Sequence, residues 1–417
     1  MLRLVAALCL VLLAPACSSS RPAPAPQPAS GTTVVLVSLD GFRSDYLDRP
    51  GAVNLRAIAQ SGVRARTLEP VFPTKTFPNH YTLVTGLYPE HHGIVSNTME
   101  DSAIGYRFTI SDSMANADPR WWGGEPIWLT VERQGRKAAT YFWPGSEAKV
   151  GGVHPTWWMK FDNAVPNAVR VRQVLEWLRL PAGQRPVLIT LYFSDVDHDS
   201  HEFGPDAPET DVAIARVDSA VGTLWRGIGE QGLQGQVNLI VVSDHGMAAT
   251  SRDRMVFLDD YLTAGTYRVV DWSPVAMIVP AAGREDDVYQ RLSQAPHLAT
   301  YRRAEIPERY HFRASDRITP IVGIADDGYT IMTRARFNAS TAVGPRGMHG
   351  YDNQLPSMGA LFVATGPAFA PGRVVPRVRA LDIYALVAGI LRLQPAPNDG
   401  SLDSIRTVLR DQGTGNQ

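Results

Sequence analysis

The chain has 417 residues, 44% of them hydrophobic and 19% charged, enough for a large buried core. Lys and Arg total 40 against 41 Asp and Glu, a net charge of −1. That balance excludes a nucleic-acid binder built on a basic field and leaves any phosphate recognition to metals or to a few placed groups.

In chain order, the first element is a targeting signal. Arg3 precedes an apolar run at residues 4–13, too short to span a bilayer as a mature helix, and Ala14-Pro15-Ala16 is a small-residue cleavage pattern. Cys17 follows directly, and two readings stand. Either signal peptidase cuts after Ala16 and frees the protein, or Cys17 is lipidated and anchors it. Residues 13–17 resemble a bacterial lipobox, with Ala14 where Leu is usual. Both readings expect an exported, periplasmic protein, and the second tethers it to the outer membrane through Cys17. The only cysteines are Cys9 and Cys17. The mature domain therefore forms no intrachain disulfide and relies on core burial and bound metal. Residues 18–31 are almost entirely Ser, Pro, Ala and Gly and read as a stiff spacer. The catalytic domain is expected over 32–417.

Thr33–Leu39 is a continuous apolar, β-branched run that ends in Asp40-Gly41. Continuous runs, as opposed to alternating ones, indicate strands buried on both faces, as in parallel sheets. Three more follow: residues 187–193, Val237–Val242 and residues 361–364. Helical patterns lie between and after them, one through Ile214, Val217, Val221, Leu224 and Ile228, another through Leu381, Tyr384, Ala385, Ala388 and Leu391. Strands alternating with helices predict a doubly wound α/β fold with a mostly parallel central sheet. Residues of about 98–165 are rich in Trp, Gly, Asp and Pro with weak periodicity, and read as a loop-rich insertion over one sheet edge.

Ligands of open α/β sheets bind at the carboxyl ends of strands. Asp40 closes the first run, Asp197 and His201 follow the second, and Asp244 and His245 close the third. His349 lies in the glycine-containing loop 344–350 before the fourth. One Asp after a strand is usually a helix cap. Six such residues at corresponding ends form a mixed oxygen and nitrogen set suited to zinc, and carboxylate-rich sets also accept manganese. Between the first two runs, residues 72–81 read FPTKTFPNHY. Pro78 suits a first helical turn and Thr76 sits near its N-cap. Thr76 then either caps only, or its hydroxyl, beside metal and helix dipole, attacks phosphorus.

Residues 37–43 (VSLDGFR), 73–97 (PTKTFPNHYTLVTGLYPEHHGIVSN), 124–128 (GEPIW), 142–146 (FWPGS), 197–204 and 243–247 (SDHGM) together resemble the nucleotide pyrophosphatase/phosphodiesterases of the alkaline phosphatase superfamily. The resemblance covers essentially the whole mature domain. It implies an alkaline-phosphatase-like α/β sandwich and two zinc ions, one on Asp197, His201 and His349, the other on Asp40, Asp244 and His245 with Thr76. It implies Thr76 as the nucleophile, a phospho-threonine intermediate, and Asn97 as a hydrogen-bond donor to a phosphate oxygen. Nucleotides and related small diesters are the implied substrates, cleaved to nucleoside 5′-monophosphates. Phe77 and Phe161, the latter where Tyr is common, would stack the base, with Trp143 and Tyr192 as further pocket positions. Residues 194–201 depart from the family pattern: Asp195, His198 and Asp199 stand where Glu-Pro and Ser-Ser-Gly are frequent. His198 is not taken as a ligand, because Asp197 and His201 already fill the spacing. His80, His91, His92, His154, His297 and His311 are read as structural or exposed. A phosphomonoesterase or a choline-type lipid phosphodiesterase of the same superfamily would share the metal ligands. A non-catalytic surface protein that binds metal and nucleotide or glycan is the rival outside enzymology.

Overall fold

The computed structural model describes residues 31–339 and 346–411. The leader, Cys17, nearly all of the spacer, and Gly344 and Pro345 lie outside the described residues.

Eight strands make the central sheet: β1 (Thr33–Leu39), β2 (Val63–Ala65), β3 (Ala138–Tyr141), β4 (Trp157–Met159), β5 (Leu188–Phe193), β6 (Val237–Val242), β7 (Phe362–Thr365) and β8 (Arg373–Val375). Their spatial order is β8-β2-β7-β6-β1-β5-β3-β4. β1 is parallel to both neighbours, with Leu39 opposite Phe193 and Ser38 opposite Val242, so three strands end level. Every residue of β1, β5 and β6 is buried, which is why these runs are apolar without alternation. One sheet face packs on helices α1 (Val53–Ser61), α3 (Asn167–Leu178) and α5 (Pro208–Glu230). The other packs on α2 (Thr76–Thr85), α6 (Asp382–Leu391) and the short helix Ile127–Arg133. A further helix, α4 (Asp195–Phe203), follows β5.

Two expectations are corrected. The run at 361–364, read with the parallel group, is antiparallel: Phe362 pairs with Val242 and Thr365 with Leu239. A residue before β7 therefore arrives at the edge where β1, β5 and β6 end, and that is how His349 reaches it. The segment 98–165 is also more than loop. It contains the hairpin Thr98–Asp101/Tyr106–Thr109, the helix Ile127–Arg133, and the sheet strands β3 and β4, both parallel additions beyond β5. Runs of three and four residues among Trp, Gly and Pro are too short to show a period.

A second sheet has no counterpart in the sequence reading. Tyr267–Asp271, Val275–Pro280, Ile321–Ala325 and Leu298–Arg302 form it in that order, all antiparallel. It has its own apolar cluster through Ala276, Ile278, Val288, Leu292 and Ile321.

Candidate active site and metal centre

The level ends of β1, β5 and β6 bring the acidic and histidine side chains together. Gly41 makes one of the close approaches. Its φ is +68°, and a Cβ there would stand 2.9 Å from the Cα of Asp197. Glycine at this turn lets the chain leaving β1 lie against the start of α4, where the Asp197 N–H donates to the Asp40 carbonyl at 3.1 Å. Asp197 and His201 are four apart on α4 and share one face. Asp244 and His245 follow β6 one residue on, after Ser243, and both are fully buried.

All three expected histidine ligands are held the same way. Nδ1 of His201 lies 2.8 Å from the Gly347 carbonyl, Nδ1 of His245 2.9 Å from that of Gly246, and Nδ1 of His349 2.8 Å from that of Thr74. A carbonyl only accepts, so each Nδ1 carries a proton and Nε2 is the ring nitrogen that a metal would take. Those Nε2 atoms face carboxylates. His201 and His349 lie 3.3 and 3.5 Å from Asp197 Oδ1; His245 lies 2.9 Å from Asp244 Oδ2 and 3.5 Å from Asp40 Oδ1. The same three oxygens, Asp40 Oδ1, Asp197 Oδ1 and Asp244 Oδ2, are buried without a hydrogen-bond donor. Carboxylate oxygens and ring nitrogens converging in a buried site must take up either protons or a cation, and the mixed oxygen and nitrogen donor set fits a metal.

The donor atoms of Asp40, Asp244 and His245 lie within 4.8 Å of one another, as do those of Asp197, His245 and His349. The sequence reading assigned His245 to the first group alone. Its ring stacks on that of His349, with centroids 3.5 Å apart, and this brings its Nε2 near both groups. Electrostatics match the crowding. Burial, with Asp244 and Asp197 beside it, pushes the Asp40 carboxyl well above its usual range. For Asp244 the opposing effect of burial is outweighed by His245 and His80, which hold it well below. Burial and neighbouring His245 keep His349 neutral, the form that binds metal.

Lys75 is the N-cap of α2, and Thr76 is its first helical residue. Thr76 Oγ is 3.4 Å from His245 Nε2, where the first N–H groups of a helix have no intrahelical acceptor and favour negative charge. Asn97 Oδ1 accepts the Phe77 N–H at 3.0 Å, leaving its NH₂ to donate. A cavity of about 180 Å³ opens from Asp40, Thr76 and Asp197 and is lined by Phe77, Trp143, Phe161 and Tyr192, with Ile110, Asn116 and Glu147 among the residues the sequence reading did not name. Phe161 is 45% exposed at its mouth, and its N–H donates to Glu147 Oε1 at 2.8 Å. Trp143 is buried, its indole N–H donating to the His80 carbonyl at 3.0 Å.

Asp195 and Asp199 are not drawn into the metal groups. Arg216 reaches Asp195 at 3.2 Å and Asp199 at 3.7 Å, Asn167 donates to Asp195, and His198 is exposed. His80, by contrast, belongs to the site's support. It is fully buried, with Nδ1 2.9 Å from the Thr76 carbonyl and 3.2 Å from Asp244 Oδ2, and Nε2 2.8 Å from Ser38 Oγ. Sequence reasoning also missed a tie from the second sheet. Asp271 accepts from Lys75 Nζ at 2.7 Å and from Ser96 Oγ, fixing the start of α2. The only sequence signal was the position of Lys75 and His80 inside the block around Thr76.

Comparison with known proteins identifies the family. Residues 34–352 match the family model of type I phosphodiesterases / nucleotide pyrophosphatases. A Schizosaccharomyces pombe protein named as an uncharacterized pyrophosphatase/phosphodiesterase is 37% identical over 395 residues, 92% of this chain and 81% of the relative. Human ectonucleotide pyrophosphatase/phosphodiesterase family member 5 is 37% identical over 379 residues, 90% of this chain and 78% of the relative. A venom phosphodiesterase of Macrovipera lebetinus is 36% identical over 408 residues, and there the match spans only 47% of the relative. Among solved structures, an inactive threonine-to-alanine variant of murine ectonucleotide pyrophosphatase / phosphodiesterase 5 in complex with AMP superposes with a TM-score of 0.86. It is 37% identical, and the match covers 91% of this chain and all of the other.

Proposed function

Since the chain belongs to the type I phosphodiesterase / nucleotide pyrophosphatase family, with its alkaline-phosphatase-like α/β fold and its phosphodiester hydrolysis, we propose that it is a two-zinc nucleotide phosphodiesterase acting through Thr76. The observation that carries this is Thr76 Oγ 3.4 Å from His245 Nε2, in a cavity that Thr76 shares with Asp40, Asp197 and several aromatic rings, beside buried oxygens of Asp40, Asp197 and Asp244 that have no hydrogen-bond partner. The AMP in the murine neighbour, and the inactivity of its threonine-to-alanine form, support a nucleotide substrate and a threonine-dependent reaction.

In this reading Asp197, His201 and His349 hold one zinc, and Asp40, Asp244 and His245, with Thr76, hold the other, with His245 Nε2 facing both groups. Bound zinc supplies charge neutralisation and lowers the cost of the Thr76 alkoxide. Phe77 and Phe161 receive the base, and Trp143 backs the pocket. The Asn97 NH₂ and the Thr76 N–H at the start of α2 donate to phosphate oxygens as negative charge builds. Thr76 Oγ attacks phosphorus in line and gives its proton to water, while the bond to the leaving alcohol or phosphate breaks and the leaving oxygen takes a proton from water. Water then displaces Thr76 from the phospho-threonine and a nucleoside 5′-monophosphate leaves.

The test compares para-nitrophenyl thymidine 5′-monophosphate with para-nitrophenyl phosphate. The diester should be cleaved faster by at least about 100-fold in kcat/KM, because only it fills the aromatic cavity. Preference for the monoester would overturn the reading. Export belongs to the same proposal: Cys17→Ser should release the protein from the membrane fraction. Soluble protein in both forms would mean a cleaved leader without a lipid anchor.

A further inference from the structure

We infer that Tyr192 is a positioning residue for the metal centre, one that fixes which oxygen of Asp40 meets the cation. The inference rests on the two-zinc reading above. Tyr192 lies on β5 directly opposite Ser38 of β1, so its ring stands on the sheet face shared by Ser38 and Asp40. Its hydroxyl donates to Asp40 Oδ2 at 2.6 Å. That bond occupies Oδ2 and leaves Oδ1, the oxygen 3.5 Å from His245 Nε2, without a donor.

Asp244 is treated the same way by different groups. Its Oδ1 accepts from the Gly41 N–H and from Ser243 Oγ, both at 3.2 Å, and its Oδ2 is left 2.9 Å from the same His245 nitrogen. Each carboxylate thus gives one oxygen to the protein and one to the point in front of His245. For Asp244 the holding donors come from its own strand end and from the Gly41 turn. For Asp40 the donor is one phenol on the neighbouring strand. Without it, Asp40 could rotate or offer both oxygens, and the geometry of that half-site would loosen. Tyr192 also lines the cavity, but the residue is only 7% exposed there.

Tyr192→Phe separates the two roles, since it keeps the ring and removes the hydroxyl. Zinc binding to metal-stripped protein, titrated against a chromophoric chelator, should show one of two sites weakened by about 10- to 100-fold and the other unchanged. At limiting zinc, kcat on the thymidine diester should fall while KM stays within about twofold, and excess zinc should restore kcat. Unchanged zinc affinity and kcat in Tyr192→Phe, with wild type binding two zinc ions, would overturn this inference and leave the function intact. A raised KM with both zinc affinities unchanged would also overturn it, making Tyr192 a wall of the base pocket. Wild-type protein that took up no zinc would instead overturn the two-zinc reading and this inference with it.

Discussion

Thr76→Ala abolishes diester cleavage while leaving the fold and the bound metal in place: that is the expected result with the largest effect on rate. A threonine hydroxyl is a weak nucleophile at neutral pH unless something lowers the cost of its alkoxide. Here the hydroxyl sits on the first residue of α2 and 3.4 Å from His245 Nε2, so helix dipole and adjacent cation would both act on it. Loss of an attacking group costs at least about 1,000-fold in kcat where the rest of the site survives. Stability should change by only about 1 kcal/mol, since the hydroxyl makes one long contact and the methyl is small. Thr76→Ser keeps the hydroxyl and should retain a measurable fraction of the rate. Two in-line displacements give net retention of configuration at phosphorus. Net inversion with a chiral thiophosphate diester would mean that water attacks directly and Thr76 only starts the helix.

The parts of the fold legible in the sequence were those buried on both sides. β1, β5 and β6 read as unbroken apolar runs because helices cover each face, and the polar residue ending each run marks the edge where ligands collect. Asp40, Asp197 and Asp244 were found in that way. His349 was found from its loop, although the reason it reaches the site, the antiparallel sense of β7, leaves no trace in composition. The second sheet was missed because its short strands, such as Val275–Pro280 and Ile321–Ala325, lie among polar loops and pair only with each other. Contacts from it were missed with it, above all Asp271 on Lys75. The supporting role of His80 was illegible for another reason. Its partners, Ser38, Thr76 and Asp244, come from three separate elements, and nothing in residue spacing predicts that they meet.

Removal of metal should stop the reaction and weaken the fold together. Asp40, Asp197 and Asp244 are mutually repelling carboxylates around histidine lone pairs, so without a divalent cation the site must take up protons or loosen. Chelator-stripped protein should show no diester cleavage and a melting temperature lower by several degrees. A cation at about 100 times its Kd contributes about 2.7 kcal/mol to the folded state. Added zinc should restore both. The histidines should not be equivalent. His245 Nε2 faces both donor groups, whereas the carboxylate that His201 Nε2 faces is Asp197. His245→Ala should therefore reduce metal content at both positions, and His201→Ala at one, as read by metal analysis of the purified variants. Full activity in metal-free protein would sink the metal centre. Equal metal loss in the two variants would return His245 to a single site, as the family resemblance implies.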